Sequence, residues 1–320
     1  MTCDVRESGA EAGFLAPPRK PPYHALSCIE RPGKMAAGST VVKIDRLLCI
    51  ASAARPAGVD ASARLKQDLD EAGYTILEER DPGAVAGADA ILLLGGDGFL
   101  METLHRLEFP GTPIFGVNFG TVGFLMNSHT ILPELPRILR DGRFREVTYS
   151  ILQANAVLED GHAHIAYAFN EFVLERQTGQ AVRLQVSIDG IAFNRFAGDG
   201  FVISTPAGST AYNLAAGGPA VHPQVKGFVL TPLYPHRAEP FHSMQFSLML
   251  PQDSRISVES EDLPKRHMRL VVDGRPIKGV ACVEILDSQK RVTLLRTPDR
   301  DFVRMLSQKF IGWEGDDQER

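Results

Sequence analysis

The chain has 320 residues, 44% of them apolar and 23% charged, and carries a formal net charge of −5. That composition is that of an ordinary globular protein with room for two domains, and the acidic balance gives no reason to expect nucleic acid or an anionic membrane as a partner. The four cysteines, Cys3, Cys28, Cys49 and Cys282, form no close pair and have no histidines at zinc spacing, so they read as reduced cytoplasmic thiols, with no metal site.

Residues 1–40 hold five prolines and scattered charge with no apolar periodicity, and read as a disordered tail or as a start placed upstream of Met35. From residue 41 to 147 the pattern is α/β. Arg46–Ala51, Ala90–Leu94 and Pro113–Val117 read as strands of a parallel sheet, with helices predicted over Ala61–Gly73 and Phe99–Leu107. From 148 to 297 the runs become short and β-rich, separated by hairpin dipeptides such as Asp189-Gly190 and Asp273-Gly274. That stretch is predicted to be a second, mainly antiparallel domain. Strands are expected over Thr148–Leu158, Ala166–Glu175, Val182–Asp189, Gly200–Ser204, Met244–Leu250, Arg255–Glu259, Met268–Asp273 and Val280–Leu286, with one helix over Ser209–Ala216. Residues 298–320 close the chain with a helix over Asp301–Lys309.

Four segments carry chemistry. In Ala90-Ile-Leu-Leu-Leu-Gly-Gly-Asp-Gly98 an apolar strand runs into Gly95, Gly96 and Gly98 and then into a helix N-terminus, the arrangement of a phosphate cradle. Asp97, an anion among groups that attract anions, suits a role with Mg²⁺ or as a proton acceptor; the plain alternative is a helix cap in a tight turn. Gly116-Val-Asn-Phe-Gly-Thr-Val-Gly-Phe124 permits close backbone approach, and Phe124 either walls a pocket or belongs to the core. Asn170 and Glu171 offer donors and acceptors for an adenine edge and ribose hydroxyls, or simply end a strand. The densest segment is Gly198 to Pro219. A rigid small-residue turn, the hydroxyls of Ser209 and Thr210, and Tyr212 together make a slot for a flat ring, whereas a helix N-cap would account for the hydroxyls alone.

In this order and spacing the segments resemble the NAD kinase family over residues of roughly 45 to 313, with Leu230-Thr-Pro232, Pro235-His236 and Lys309 to Trp313 adding to the match. The Gly-Gly-Asp-Gly tetrad is shared with lipid and 6-phosphofructo kinases; Ser204-Thr-Pro-Ala-Gly-Ser-Thr-Ala-Tyr212 is the specific part. The resemblance implies transfer of a γ-phosphoryl group from ATP, or from polyphosphate, to the adenosine-ribose 2′-hydroxyl of NAD, with Mg²⁺. It implies Asp97 as the base or orienting group, Gly95, Gly96 and Gly98 near phosphates, and Asn170 and Glu171 on the adenosine portion. Asp199 would contact the other end of the dinucleotide. Thr210, Ala211 and Tyr212 would form the adenine slot with Asn213 and Ala215 beside it. It also implies a C-terminal helix returning to the first domain, and a homodimer or homotetramer formed through the β-rich domain. Phe99, Ala197, Ala207 and Arg275 depart from the usual pattern. No Gly-x₄-Gly-Lys-Ser/Thr occurs, so backbone N–H groups and Mg²⁺ are expected to do what a phosphate-binding lysine does elsewhere. The rival readings are a lipid kinase of the same superfamily and an NAD-binding sensor without turnover.

Overall fold

The computed structural model describes residues 43–54, 56–120, 123–237, 239–298 and 300–311. The predicted N-terminal tail, Thr121 and Val122 of the second glycine loop, and Trp313 lie outside the described residues. In the first part of the chain, β1 (Arg46–Ala51), α1 (Pro56–Glu71), β2 (Thr75–Leu77), α2 (Ala84–Gly87), β3 (Ala90–Gly95), α3 (Asp97–Arg106) and β4 (Ile114–Asn118) follow one another. The short β5 (Asn127–Ser128), a 3₁₀ turn over His129–Glu134 and α4 (Leu135–Arg140) complete it. All pairings among β1 to β5 are parallel. All six residues of β3 are buried, as its unbroken apolar sequence demands of a strand covered on both faces.

The β-rich part begins with β6 (Arg145–Leu158), β7 (Ala163–Ala168), β8 (Glu171–Arg176), β9 (Val182–Ile188), β10 (Ile191–Gly198) and β11 (Gly200–Ser204). After a 3₁₀ turn over Gly208–Thr210 and α5 (Tyr212–Ala215) come β12 (Gly227–Leu233), β13 (Leu248–Pro251), β14 (Ile256–Ser260), β15 (Met268–Val272) and the 22-residue β16 (Arg275–Arg296). The described chain ends in α6 (Phe302–Leu306) and a π-helical turn over Ser307–Ile311. Two antiparallel layers share β16. One runs β13-β12-β11-β8-β15-β16; the other pairs β10 with β9, β9 with β14, and β14 and β6 with β16. Phe172, Phe196, Phe201 and Phe228 fill the space between them, with Phe196 and Phe201 4.2 Å apart at their centroids.

The α/β and antiparallel classes are those predicted, but several elements differ from the sequence reading. α1 begins at Pro56, earlier than predicted, consistent with proline at the first helical position. β2, β10, β12, α4 and the 3₁₀ turn before α4 were not anticipated. The expected 166–175 strand is two strands, because the N–H groups of Phe169, Asn170 and Glu171 turn away to a single carboxylate, Asp273. The expected 209–216 helix is broken at Ala211 (φ −93°, ψ −126°), which aims the Tyr212 N–H at Glu171. The expected Val280–Leu286 strand is far longer. The polar stretch Asp287-Ser-Gln-Lys290, where the predicted strand had already ended, is an irregularity within the β6 pairing, clamped by Arg291 on Asp287 at 2.6 Å. Beyond that irregularity β16 pairs in parallel with β4 through Leu294 and Ile114, so the two parts of the chain are joined by continuous sheet.

Candidate active site

α3 opens at Asp97 itself, with Gly96 as its N-cap. The Asp97 carboxylate does not cap that helix. It reaches instead to the second glycine loop, accepting from the Phe124 N–H at 2.7 Å and from the Leu125 N–H at 3.3 and 3.4 Å. A Cβ at Gly123 would sit 2.7 Å from Asp97 Oδ1, so only glycine lets the loop come this close. None of Gly95, Gly96 and Gly98 adopts a positive φ. What Gly98 supplies is space: a Cβ there would meet nothing within 4 Å. The two glycine segments are thus one structure, drawn together by the carboxylate that the sequence singled out.

The second half of the site is organised by a residue read in sequence only as a hairpin turn. Asp273 lies between β15 and β16 with a φ of 44°, followed by Gly274 at 85°. Its side chain is 2% exposed and accepts from the N–H groups of Phe169 and Asn170 at 2.8 Å each and of Glu171 at 3.1 Å. His105 Nε2 of α3 lies 2.8 Å from the same carboxylate. The backbone of Asn170 is therefore fixed, while its side-chain amide makes no hydrogen bond among the described residues. Glu171 is buried, and its Oε2 has no partner there. Burial, with the charge of Asp273 adding to it, pushes the Glu171 carboxyl up to about 8, against a weaker pull from the Tyr212 N–H.

That shift has a stability consequence. Between about pH 4.5 and about pH 8 the native state holds a proton at Glu171 that the unfolded chain has released. The associated stability is fully present at the low end and lost as pH rises through the high end. Glu171→Gln removes this dependence. Its thermal midpoint is expected to match the wild type near pH 4.5 and to exceed it increasingly as pH rises toward about 8, by the equivalent of a few kcal/mol, and to hold that lead above. A difference that stays constant across that window in a thermal-unfolding series would count against a raised Glu171.

The turn after β11 packs directly against Asn170. Thr205 Oγ1 donates to the Phe169 carbonyl at 2.6 Å and accepts from the Gly208 N–H at 3.0 Å. A Cβ on Gly208 would fall 2.2 Å from the Asn170 carbonyl oxygen. Ser209 is buried, donating to the Pro206 carbonyl and accepting from the Val221 N–H. Asn213 is equally engaged: its amide donates to the Ser209 and Pro219 carbonyls and its oxygen accepts from Thr231 Oγ1. Asn213 therefore braces the turn, tying Ser209 to Pro219 and Thr231. Thr210 makes no hydrogen bond among the described residues through its hydroxyl, and Tyr212 is 43% exposed. Ala211 and Ala215 are exposed on the same turn.

Three cavities distribute the predicted residues. Phe124, Ala207 and Thr210 line a small one with Tyr149 and His222. Asp199 and Tyr212 line another of about 300 Å³, where Asp199 pairs with Arg176 Nε at 2.8 Å. Tyr212 and Ala215 border a third of about 590 Å³, with Tyr234 and Phe246. The closing helix covers the first: Phe310 stacks on Phe124 at 5.7 Å, and Lys309 Nζ lies 4.7 Å from the Phe124 centroid. Sequence reasoning missed three cations here. Arg145, Arg296 and Arg300 all line the first cavity. Arg300 holds the second glycine loop through the Gly123 and Met126 carbonyls. Arg296 is 5% exposed, donates to the Tyr149 hydroxyl at 3.2 Å, and has a buried Nε without a partner among the described residues. Their scattered positions, on β6, at the end of β16 and beyond it, leave no local pattern that would have revealed them.

Comparison with known proteins adds the family. The family model for the ATP-NAD kinase N-terminal domain matches residues 53–140, and that for the ATP-NAD kinase C-terminal domain matches 169–297. The chain belongs to the NAD kinase family. Curated NAD kinases at similar distance include that of Xylella fastidiosa strain Temecula1, 35% identical over 270 residues, covering 83% of this chain and 96% of that protein. The NAD kinase of Zymomonas mobilis is 38% identical over 216 residues, covering 66% of this chain and 81% of that protein. Among solved structures, yeast NADH kinase complexed with NADH superposes with a TM-score of 0.72 at 21% identity, over 87% of this chain and 90% of that one. An NAD kinase from Archaeoglobus fulgidus in complex with ATP gives 0.64 at 23%, over 80% and 95%. At those identities the superpositions speak for the fold, and it is the NAD kinase fold. The lipid-kinase alternative is not favoured. Among the described residues no helix is long and apolar enough to cross a membrane.

Proposed function

We propose that the chain phosphorylates the adenosine-ribose 2′-hydroxyl of NAD with ATP, giving NADP. The observation that carries this is the Asp97 carboxylate, fixed by two backbone N–H groups of one glycine loop at the helix N-terminus of the other. In the proposed reaction the 2′-hydroxyl oxygen attacks the γ-phosphorus, its proton passes to Asp97, and the bond to the ADP oxygen breaks. Asn170 and Glu171 hold the adenosine portion, Glu171 as a neutral carboxyl below about pH 8. Thr210, Ala211 and Tyr212 frame the adenine, with Phe124, Ala207 and Ala215 alongside, and Asp199 faces the nicotinamide end. Gly95, Gly96 and Gly98 leave room for phosphates near the α3 N-terminus, and the arginines beside the Asp97 loop add positive charge that the sequence pattern lacked.

No cluster of three or more metal-ligating side chains exists among the described residues. A single carboxylate with lone pairs to spare, Asp97, fits Mg²⁺, which takes most of its remaining ligands from water and substrate phosphates. When bound, Mg²⁺ neutralises charge on the transferring phosphoryl group.

The decisive assay supplies purified chain with NAD, ATP and Mg²⁺ and detects NADP through an NADP-specific dehydrogenase. NADP formation that collapses in excess chelator is expected. NADP made only with polyphosphate would reassign the donor, and none with either donor, despite NAD binding, would favour the sensor. Assembly through the β-rich domain as a homodimer or homotetramer is part of the proposal. β10 and β13 are sheet edges, and Ile191, Tyr234 and Phe246 are 72%, 78% and 60% exposed. A monomer in light scattering at micromolar concentration would overturn it. A cytoplasmic location agrees with the free thiols Cys49 and Cys282.

A further inference from the structure

The two halves of the proposed site ride on different elements. Asp97 begins α3, whereas Asn170 stands just before β8 and Glu171 opens it. Phosphoryl transfer needs them in register, because misplacement by about 1 Å is enough to cost about 10²-fold in rate. His105 lies on α3 a little over two turns beyond Asp97, about 12 Å along the axis. Its side chain is 12% exposed, and its Nε2 meets Asp273 Oδ2 at 2.8 Å. The same carboxylate gathers the N–H groups of Phe169, Asn170 and Glu171. The imidazole plane is set by packing: His105 lies edge-on to Phe109 at 5.0 Å, and Phe109 edge-on to Tyr167 at 6.2 Å. One buried carboxylate therefore joins the helix that carries the proposed base to the backbone that carries the proposed ribose contacts.

We propose that His105 is a positioning residue for phosphoryl transfer: through Asp273 it fixes the register of the Asp97 helix against the Asn170–Glu171 turn. This rests on the proposed kinase reaction. His105 touches no reacting atom, and Asp273 still holds the turn when the imidazole is gone. Its loss is therefore expected to disturb the alignment of Asp97 more than the binding of NAD.

The test is a double-mutant cycle in the full chain, using His105→Ala, His105→Gln and His105→Asn with and without Asp97→Asn. NAD affinity is measured by calorimetry and turnover by NADP formation. His105→Ala is expected to lower kcat by about 10- to 100-fold while the Kd for NAD changes less than about threefold. Glutamine places an amide N–H near the position of the imidazole Nε2 and restores most of the rate; asparagine is too short to reach Asp273 and behaves like alanine. In the Asp97→Asn background the same substitutions cost less than about threefold, because the group they align is no longer a base. Equal losses in both backgrounds, or a glutamine variant no better than asparagine at equal folded fraction, would overturn the assignment, as would an alanine variant with unchanged kcat. If alanine fails to fold, the glutamine–asparagine pair makes the same comparison. A wild type that makes no NADP overturns the kinase reading and this inference with it, an outcome distinct from an active wild type indifferent to His105.

Discussion

Asp97→Asn is expected to lower kcat by about 10²- to 10⁴-fold, the usual contribution of a positioned proton acceptor, with the fold and NAD affinity retained. Asparagine has the same shape, and its Oδ1 can still accept the Phe124 N–H that now sits 2.7 Å from the carboxylate. The loop carrying Gly123 therefore stays in place, and so do the arginines around it. What disappears is the negative charge and the capacity to take the 2′-hydroxyl proton. The contact to Leu125, at 3.3 Å or longer, is too weak for its loss to displace the loop. The prediction is thus a separation of two measurements: kcat falls steeply while the calorimetric Kd for NAD moves little. A kcat within about fivefold of wild type would remove Asp97 as the base, leaving orientation by backbone and metal to carry the reaction.

Much of this site is legible in the chain because the relevant residues are close together in sequence. The strand, glycine turn and helix around Asp97 are local, and so is the Thr205–Tyr212 turn, where small residues and hydroxyls crowd too densely for an ordinary helix cap. The helix expected there failed at Ala211 because the Tyr212 N–H is drawn to Glu171, a partner outside the turn. The same limit explains the larger omissions. Asp273 reads as half of an Asp-Gly hairpin dipeptide, and the hairpin is real. Nothing local announces that its carboxylate is buried against a turn about 100 residues earlier. Arg296 lies outside every element predicted from the sequence, and becomes informative only when β16 is seen to continue past its polar interruption and pair with β4. Periodicity reports which face of an element is buried, not which distant groups a buried polar atom meets.

Asp273→Ala is expected to destabilise the chain by about 3–5 kcal/mol, the cost of deleting one partner from a buried, charge-assisted network. Three backbone N–H groups and His105 lose their shared acceptor at a position where the side chain is 2% exposed, so bulk water cannot simply take its place. Alanine also tolerates the φ of 44° less readily than aspartate. One effect opposes these. Asp273 is the second of the two influences that raise Glu171, after burial, so its removal lets that carboxyl ionise at lower pH. The native proton is then released earlier, the window over which stability declines with pH narrows, and part of the loss is recovered toward pH 8. Urea unfolding of wild type and variant at a mildly acidic and a mildly alkaline pH measures both consequences. The stability gap between them should be widest at the acidic end, where Glu171 is protonated in either protein and offsets nothing. A loss below about 1 kcal/mol would mean that ordered water replaces the carboxylate, and that the turn bearing Asn170 and Glu171 is held mainly by Thr205.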